Sequence, residues 1–530
     1  MKVLVIDKIA PEGIAYLTER GFHVDQVSSK LPKDELLAKI GEYEAIITRS
    51  STTVTAEFLA RARRLRILGR AGVGVDNIDV DACSRQGVVV VNAPYGNVVS
   101  AAEHTIGMLL ALVRRIPQAN ASLKQMEWDR GIYGSELYRK TVGVLGLGKV
   151  GSRVAARLKA FDMEVLVYDP YIPESRARDL GVRLTDLGTV LAQSDIITVH
   201  VPLNEETENM IAARELAAMK PGARLVNCAR GGIVNEGDLL AALESGHLAG
   251  AAVDVWTEEP PVSELVKRLM RHPKVVVTPH LGANTQEAQV NVAVDVARQL
   301  VAFRDGEIVE HAVNIPVGDR ETIAEQRPFI ALAELLGRFV VQLEKDNVES
   351  VEVEVAGQVA RRDPELIARA VLKGLLGRVT AQAVNLVNAH LVARDRGVGL
   401  TVRTDEGATS GYTNLITVTT HAGGGRKIIA GTVFDGVPRI VKLRDLSIEF
   451  IPEGHVLVLS YEDRPGMVGK IGSILGRHNV NIASMHVGRR TKRGRAIVVL
   501  LLDEDVPPEV MEEVSKAVEA DFARIINLGS

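Results

Sequence analysis

The sequence predicts an α/β chain of several domains, parallel-sheeted at first and mixed α+β at its end. Three observations carry this. Short apolar runs alternate with amphipathic stretches through the first hundred residues; the same rhythm restarts at Thr141 around a glycine-rich turn; beyond Pro316 it gives way to period-two alternation. At 530 residues the chain is too long for one core, so three or four domains are expected.

In the first segment KVLVID, HVDQV, AIITR, LRILGRAG and VVVVNAP read as buried strands of a small parallel layer. Ser100 to Ile116 reads as a long apolar helix crossing between domains, either ending or kinking near Pro117. From Thr141 six more strands are expected: TVGVLG, EVLVYD, IITVHV, ARLVNCA, LAGAAVDVW and VVVTPH. A helix from Thr285 to Arg304 then returns the chain to the first domain, leaving a cleft as the expected ligand site. Pro316-Val317-Gly318 marks the next boundary. VEVEVAG and NLITVTTHAG alternate as antiparallel strands do, and Gly423-Gly424-Gly425 is a turn or flexible tip. From His455 the order is βαββαβ, the ferredoxin-like plan.

The most specific signal is Thr141 to Asp169, where a strand, Gly146-x-Gly148-x-x-Gly151, a helix and a second strand ending in an acid make one βαβ unit. Gly146 serves the tight turn, Gly148 admits a pyrophosphate to the backbone, and Gly151 packs the helix on the sheet. Asp169 follows at roughly the ~20-residue spacing of a ribose-binding carboxylate and would repel a 2′-phosphate, so the cofactor is expected to be NAD. The unit lies inside the chain, so this Rossmann domain is inserted.

Composition excludes other classes. Lys and Arg number 63 against 67 acids, a net charge of -4, which gives no electrostatic case for nucleic acid. Two cysteines, Cys83 and Cys228, imply no disulfide framework, and no apolar run suggests an export signal or a membrane span. A cytoplasmic location is expected, and no metal.

Three polar residues follow strands of the inserted domain, where open α/β sheets place their sites: Arg230, Glu259 and His280. Alone, each has an ordinary explanation as an ion-pair partner, a loop acid or a capping histidine. Together behind a dinucleotide fingerprint they make a mechanism. Oxidising a secondary alcohol needs a base for the hydroxyl proton, which histidine supplies near neutral pH. A carboxylate beside it favours the imidazolium, and an arginine holds a substrate carboxylate and polarises the adjacent carbonyl. Cys228 as a covalent nucleophile is the competing reading, although this reaction requires no such intermediate.

Fingerprint, Ala229-Arg230-Gly231-Gly232, Glu258-Glu259-Pro260 and Pro279-His280-Leu281-Gly282-Ala283, in that order, resemble the D-2-hydroxyacid dehydrogenase family. Gly69 to Asn77, GRAGVGVDN, and Asn92 to Asn97, NAPYGN, match its substrate-domain motifs, and the resemblance extends over essentially the whole chain. It implies a discontinuous flavodoxin-like substrate domain (1–97 and 285–316) and an inserted Rossmann NAD domain (98–284). An α+β intervening regulatory domain (317–452) and a ferredoxin-like βαββαβ ACT domain (453–530) follow. From the branch of the family with both appended domains it implies NAD-dependent oxidation of 3-phospho-D-glycerate to 3-phosphohydroxypyruvate, opening phosphorylated L-serine synthesis.

The residue roles implied are as follows. Arg230 binds the substrate, His280 exchanges the proton, and Glu259 holds His280 protonated during reduction. Lys149 and Val150 offer backbone to the pyrophosphate, and Cys228, Ala229, Arg230, Asp254, His280, Gly282 and Ala283 lie along the cofactor. Arg49, Ser50, Arg70, Val73, Gly74 and Asn97 line the substrate, with Arg49 and Arg70 either cations for its phosphate or ordinary surface arginines. Lys124, Trp128 and Arg130 resemble a loop reaching a neighbouring subunit of a homotetramer. In the ACT segment Tyr461, Asp463 and Asn481 are the candidate contacts for an L-serine effector. Asp463 and Tyr461 depart from the asparagine and histidine common in the family, and an assembly role without ligand stays open. Arg439, Lys442 and Arg444 read either as an anion site or as a solvated edge strand. A glyoxylate or hydroxypyruvate reductase remains as an enzyme alternative. An NAD-sensing co-repressor is the alternative from another class; it predicts partner-binding grooves and long disordered extensions, whereas this sequence shows no low-complexity tail.

Overall fold

The computed structural model describes residues 1–28, 30–316, 320–344, 347–377, 380, 383–407 and 411–528. Val317 and Gly318, at the expected start of the third domain, lie outside these. The chain opens as β1 (Lys2–Ile6), α1 (Pro11–Thr18), β2 (His23–Val27), α2 (Lys33–Lys39), β3 (Ala45–Thr48), α3 (Ala56–Arg61), β4 (Ile67–Arg70), α4 (Val80–Gln86) and β5 (Val89–Asn92). The strands lie in the flavodoxin order β2-β1-β3-β4-β5, all parallel. β3 is buried at every position, so it reads as a continuous apolar run rather than an alternating one.

Helix α5 (Val98–Arg114) crosses to the second unit. It stops at Arg115, whose φ of 54° is left-handed, and α6 (Ile116–Lys124) carries Pro117 in its first turn. The proline therefore starts a new helix and kinks none, as its missing N–H favours. The second unit then runs β6 (Thr141–Leu145), α7 (Lys149–Lys159), β7 (Glu164–Tyr168), α8 (Glu174–Leu180), β8 (Arg183–Leu184), α9 (Leu187–Gln193) and β9 (Ile196–Val199). It continues with α10 (Ala213–Ala218), β10 (Arg224–Asn227), α11 (Glu236–Glu244), β11 (Gly250–Val253), α12 (Glu264–Arg271) and β12 (Val275–Val277). Seven parallel strands, not the expected six, form the order β12-β11-β10-β9-β6-β7-β8. The extra strand is β8, two residues long and too short to leave an apolar run.

Helix α13 (Gln286–Arg304), capped by the Thr285 hydroxyl, returns to the first sheet. It fits there through small residues: a Cβ on Gly69 would sit 2.4 Å from a Val296 methyl, and one on Gly13 2.8 Å from Ala293. Beyond it Val313 N–H donates to Val90 O at 2.7 Å, so the first domain closes from two pieces.

The third unit comprises α14 (Arg320–Leu343), β13 (Val348–Gly357), α15 (Pro364–Leu376), α16 (Ala389–Asp395), β14 (Gly399–Asp405), β15 (Asn414–Ala422), β16 (Gly425–Phe434), β17 (Val437–Leu443) and β18 (Leu446–Phe450). Its sheet order is β14-β13-β15-β16-β17-β18, antiparallel except for β13 with β14. Gly423 and Gly424, with φ of 55° and 72°, form a tight β15–β16 hairpin turn.

The last unit is β19 (His455–Glu462), α17 (Met467–Arg477), β20 (Ile482–Arg489), β21 (Arg495–Leu502), α18 (Pro508–Ala517) and β22 (Phe522–Asn527), in the order β20-β21-β19-β22. Its sheet is covered twice. Val456 and Val458 face a core shared with Leu336 and Phe339 of α14, while Leu457, Leu459 and Tyr461 pack with Ile471 and Val514 of its own helices. No helix among the described residues is long and apolar enough to cross a membrane.

Candidate active site

The glycine fingerprint folds as its spacing requires. Gly146 has φ of 90° and donates its N–H to Tyr168 O at 2.8 Å. A Cβ on Gly151 would lie 2.0 Å from Gly146 O, so only glycine lets α7 seat against the turn. At Gly148 a Cβ would meet nothing within 4 Å, which makes it the open approach to the loop. Gly148 is also the N-cap of α7 without a side-chain cap, so the amides of Lys149 and Val150 begin a helix suited to an anion. Asp169, just after β7, accepts from Leu147 N–H at 2.8 Å and Tyr171 N–H at 3.0 Å. One bond to each oxygen fixes the carboxylate beside the loop and leaves acceptor capacity for ribose hydroxyls. These features fit a dinucleotide.

His280 and Glu259 are brought together. His280 Nδ1 lies 2.7 Å from Glu259 Oε2, and Glu259 Oε1 accepts from Trp256 N–H at 3.0 Å. Burial opposes ionisation of Glu259, but these two bonds outweigh it and hold the carboxyl below its usual range. His280 itself is held in the left-handed region, φ 55°, with its N–H on Asp254 O at 2.8 Å. The side chain of Asp254 accepts from Thr278 Oγ1 at 2.5 Å, Leu281 N–H at 2.8 Å and Gly282 N–H at 2.9 Å, with His104 Nε2 at 3.1 Å. Asp254 is wholly buried and orients the loop that presents His280. Ala283 O accepts from Gln289, tying the far end of that loop to α13.

Arg230 projects from the loop after β10. Asn227 folds that loop by donating to Arg230 O at 2.9 Å and accepting from Ala229 N–H at 3.1 Å. The guanidinium crosses to the first domain, where Nε meets Asp76 Oδ2 at 3.2 Å and a Cβ on Gly74 would lie 2.1 Å from Nη2. Asp76, within the quoted GRAGVGVDN motif, was not among the candidates; it balances the arginine. Gly231 is equally constrained, since its Cβ would lie 2.1 Å from the Trp256 backbone. The arginine loop thus nests directly on the loop leading to Glu259.

Arg70 curls over Gly72 and keeps a buried Nε with no hydrogen-bond partner. Burial, reinforced by Arg230 and Arg49 and opposed by Asp76, pushes its guanidinium down to about 10. Three guanidiniums therefore converge where the first sheet ends. Asn77 holds the loop of Arg49 and exposed Ser50 by donating to Arg49 O at 2.8 Å, and Asn92 donates to Val73 O at 2.6 Å. Asn97 starts α5 without capping it.

Comparison with known proteins agrees with this geometry. Residues 106–282 match the D-isomer specific 2-hydroxyacid dehydrogenase NAD binding domain, 325–444 the D-3-phosphoglycerate dehydrogenase intervening domain, and 455–519 the ACT domain. A curated D-3-phosphoglycerate dehydrogenase from Bacillus subtilis is 41% identical over 99% of both chains, and one from Archaeoglobus fulgidus 42% identical over 97% of this chain and 98% of that one. The chain belongs to the D-3-phosphoglycerate dehydrogenase family. Among solved structures, D-lactate dehydrogenase from Aquifex aeolicus, complexed with NAD and lactic acid, is similar with TM-score 0.54 and 30% identity, covering 59% of this chain and all of that one. The cofactor of this dehydrogenase is NAD, and neither the reductase nor the co-repressor alternative is favoured.

Other expectations meet a different environment. Burial, with Asp254 nearby, pushes the Cys228 thiol up to about 12, so it is no thiolate nucleophile in the dehydrogenase. Tyr461 is 2% exposed in the ACT core, so an effector contact from its side chain is withdrawn. Asp463 is ion-paired with Arg489, and Asn481 donates to Asp503 Oδ2 at 2.6 Å. Within one chain these three do not form an open site. Arg439 pairs with Glu449 at 3.0 Å and Arg444 lies 4.3 Å over the Phe522 ring. Strand β17 is not an edge strand, since it lies between β16 and β18.

His200, just after β9, was missed because a lone strand-end histidine carries no signal. It supports the fingerprint from below, its carbonyl 2.9 Å from a Cβ placed on Gly146, and its Nε2 lies 2.9 Å from Thr198 Oγ1. Burial pushes the imidazole down to about 4. The unfolded chain binds this proton near its ordinary value of ~6.5, so stability is intact above that pH and drains away between there and about 4. The loss should reach at most about 3 kcal/mol. Calorimetric melting of wild type and His200→Gln across this window should show a shallower acid slope in the variant; parallel slopes would clear His200.

Proposed function

We propose that this dehydrogenase oxidises 3-phospho-D-glycerate to 3-phosphohydroxypyruvate, the entry to phosphorylated L-serine synthesis, with His280 exchanging the proton. The observation that carries the phosphorylated substrate is the convergence of Arg49, Arg70 and Arg230, with the buried, unpartnered Nε of Arg70 among them. One guanidinium suffices for a carboxylate; a phosphate besides requires further cations.

The backbone at Gly146, Gly148, Lys149, Val150 and Gly151 would hold the pyrophosphate and Asp169 the adenosine ribose. Cys228, Ala229, Asp254, Gly282 and Ala283 would shape the nicotinamide end. When bound, NAD supplies the acceptor for the hydride leaving substrate C2. Arg230 binds the substrate carboxylate and polarises the oxygen that becomes the ketone. Arg70 and Arg49, with Ser50, Val73, Gly74 and Asn97 around them, take the phosphate. His280 removes the hydroxyl proton, and the Glu259 carboxylate stabilises the imidazolium that results. In reduction the same proton returns.

Purified enzyme should reduce NAD with 3-phospho-D-glycerate and oxidise NADH with 3-phosphohydroxypyruvate, while D-lactate and glycolate give little. Better turnover of the unphosphorylated acids would refute the assignment. Asp169→Ala should raise kcat/KM with NADP relative to NAD by about tenfold, because the carboxylate excludes the 2′-phosphate. A wild-type preference for NADP would overturn the role of Asp169.

The ACT domain suggests a small-molecule effector, which we assign as L-serine, and we assign a homotetramer. Support for the assembly comes from the segment at 124–138, where Met126, Trp128 and Tyr133 are 90%, 81% and 82% exposed beside Lys124 and Arg130. Family analogy supports a cytoplasmic site and the domain division at 97, 284, 316 and 452.

A further inference from the structure

Helix α5 begins directly after Asn97, where the chain leaves the first domain, and packs against β10, β11 and β12. Ser100, His104 and Met108 recur on one side of it at helical spacing. Ser100 Oγ lies 2.8 Å from Thr285 Oγ1, the cap of α13. His104 Nε2 lies 3.1 Å from Asp254 Oδ1 and 3.2 Å from Thr278 Oγ1, and Met108 Sδ accepts from Thr278 Oγ1 at 3.6 Å. Thr105 hydrogen-bonds the Cys228 thiol. The fit is close as well as polar: a Cβ on Gly282 would lie 3.2 Å from Asp254 Oδ2 and 4.0 Å from both His104 Cδ2 and Ala101 Cα.

The groups around Asp254 fix the tautomer of His104. Asp254 Oδ1 accepts from Leu281 N–H and Thr278 Oγ1, and Oδ2 accepts from Gly282 N–H. Thr278 has a single hydroxyl proton, directed at Asp254 and Met108, so it presents a lone pair to His104. His104 Nε2 therefore carries the hydrogen, bifurcated between the carboxylate and the threonine oxygen. Asp254 is wholly buried, and burial opposes its ionisation. The bond from His104 leads those that overcome this and hold the carboxyl below its usual range. A protonated Asp254 would instead turn a hydroxyl toward these donors and leave the Leu281 and Gly282 amides short of an acceptor.

We propose that His104 is a positioning residue of the dehydrogenation: its Nε2–H keeps the Asp254 carboxylate on the Leu281 and Gly282 amides and so fixes His280 against Glu259. The linkage is short. Asp254 O takes the His280 N–H at 2.8 Å and its side chain takes the next two amides, so one residue sets three successive N–H groups. His104 secures that residue from outside the loop. The proposal rests on the reading of His280 as the proton carrier.

The titratable groups facing Asp254 are His104 on α5, Cys228 after β10, and Glu259 and His280 on the adjoining loops. The Cys228 thiol, pushed up to about 12, is uncharged near neutrality. Glu259 is ionised and, as a like charge, opposes a second carboxylate. Losing the His104 bond therefore raises the Asp254 carboxyl, and turnover should begin to fail at higher pH on acidification.

The variants His104→Leu and His104→Gln separate a hydrogen-bond donor from a space filler. Leucine occupies the imidazole's place and donates nothing, whereas a glutamine amide offers an N–H. His104→Leu should lower kcat about tenfold or more, as expected when a hydrogen bond to a charged group is lost. KM for 3-phospho-D-glycerate should hold, because Arg49, Arg70 and Arg230 lie on other loops. His104→Gln should restore most of kcat. The acid limb of its kcat/KM profile should coincide with wild type, while that of His104→Leu lies at higher pH. NADH titration and thermal melting report whether each variant is folded; should His104→Leu not fold, His104→Met makes the same apolar replacement with a flexible chain and is read identically. Wild-type turnover in the apolar variant, equal losses in both, or acid limbs that coincide in all would overturn the proposal. Failure of the underlying reading looks different, since His280→Asn would then turn over at the wild-type rate whatever His104 does.

Discussion

Replacing His280 with Asn is expected to cut kcat by about 10²-fold or more while leaving NAD affinity nearly unchanged. The asymmetry follows from the loop. The dinucleotide features, Gly146 to Gly151 and Asp169, lie on β6, α7 and β7, whereas His280 follows β12 and is positioned by its own N–H on Asp254. Asparagine tolerates a left-handed backbone well, so the φ of 55° survives and the Asp254 network with it. What disappears is the group that takes the hydroxyl proton. Glu259, held below its usual carboxylate range, remains ionised but then faces an amide that cannot accept and carry the proton. Fluorescence titration with NADH beside steady-state kinetics separates the two quantities. Full turnover by the variant would remove His280 from the chemistry; loss of NADH binding would instead make it a support of the cofactor loop.

The elements that sequence conveyed best are those in which backbone sterics act through one residue. Gly146, at a φ of 90°, and Gly151, whose Cβ would lie 2.0 Å from Gly146 O, hold positions that suit glycine, and Gly148 leaves the approach between them open, so their spacing carried nearly the whole geometry of the loop. Parallel strands buried on both faces were equally plain as apolar runs. Three things were illegible for identifiable reasons. Strand β8 is two residues long, and the sheet rather than its own side chains holds it. Tyr461 looked available because it lies near a loop, yet β19 is buried on both faces once the ACT sheet docks on α14, and alternation then gives no sign of exposure. The Asp76–Arg230 bond spans two domains 154 residues apart, a separation at which sequence spacing is silent. The same holds for the Arg49–Arg70–Arg230 cluster: each arginine was identifiable, but their mutual approach depends on how the loops after β3, β4 and β10 fold.

Gly231→Ala should lower kcat/KM by about 10²-fold, although residue 231 is not expected to touch the substrate. The added Cβ would lie 2.1 Å from both C and O of Trp256 and 2.5 Å from Thr257 N. These are backbone atoms, so no rotamer change relieves the clash and one of the two loops has to move. If the arginine loop moves, Arg230 leaves its seat over Gly74 and its bond to Asp76. If the Trp256 loop moves, the Trp256 N–H that holds Glu259 Oε1 withdraws, and the Glu259–His280 pair loses its anchor. Either path separates the guanidinium from the acid–base pair by a fraction of a bond length or more, which chemistry of this kind does not tolerate. Gly232→Ala is the control. There the Cβ meets only Leu203 methyls at 3.7 and 3.9 Å, but φ is 82°, so the cost is backbone strain of about 1 kcal/mol in stability. The pair should therefore split: Gly232→Ala lowers the melting temperature and keeps turnover, whereas Gly231→Ala loses turnover with NADH still bound. Equal turnover in both variants would mean that the two loops adjust independently, and the nesting of Arg230 on the Glu259 loop would then have no part in catalysis.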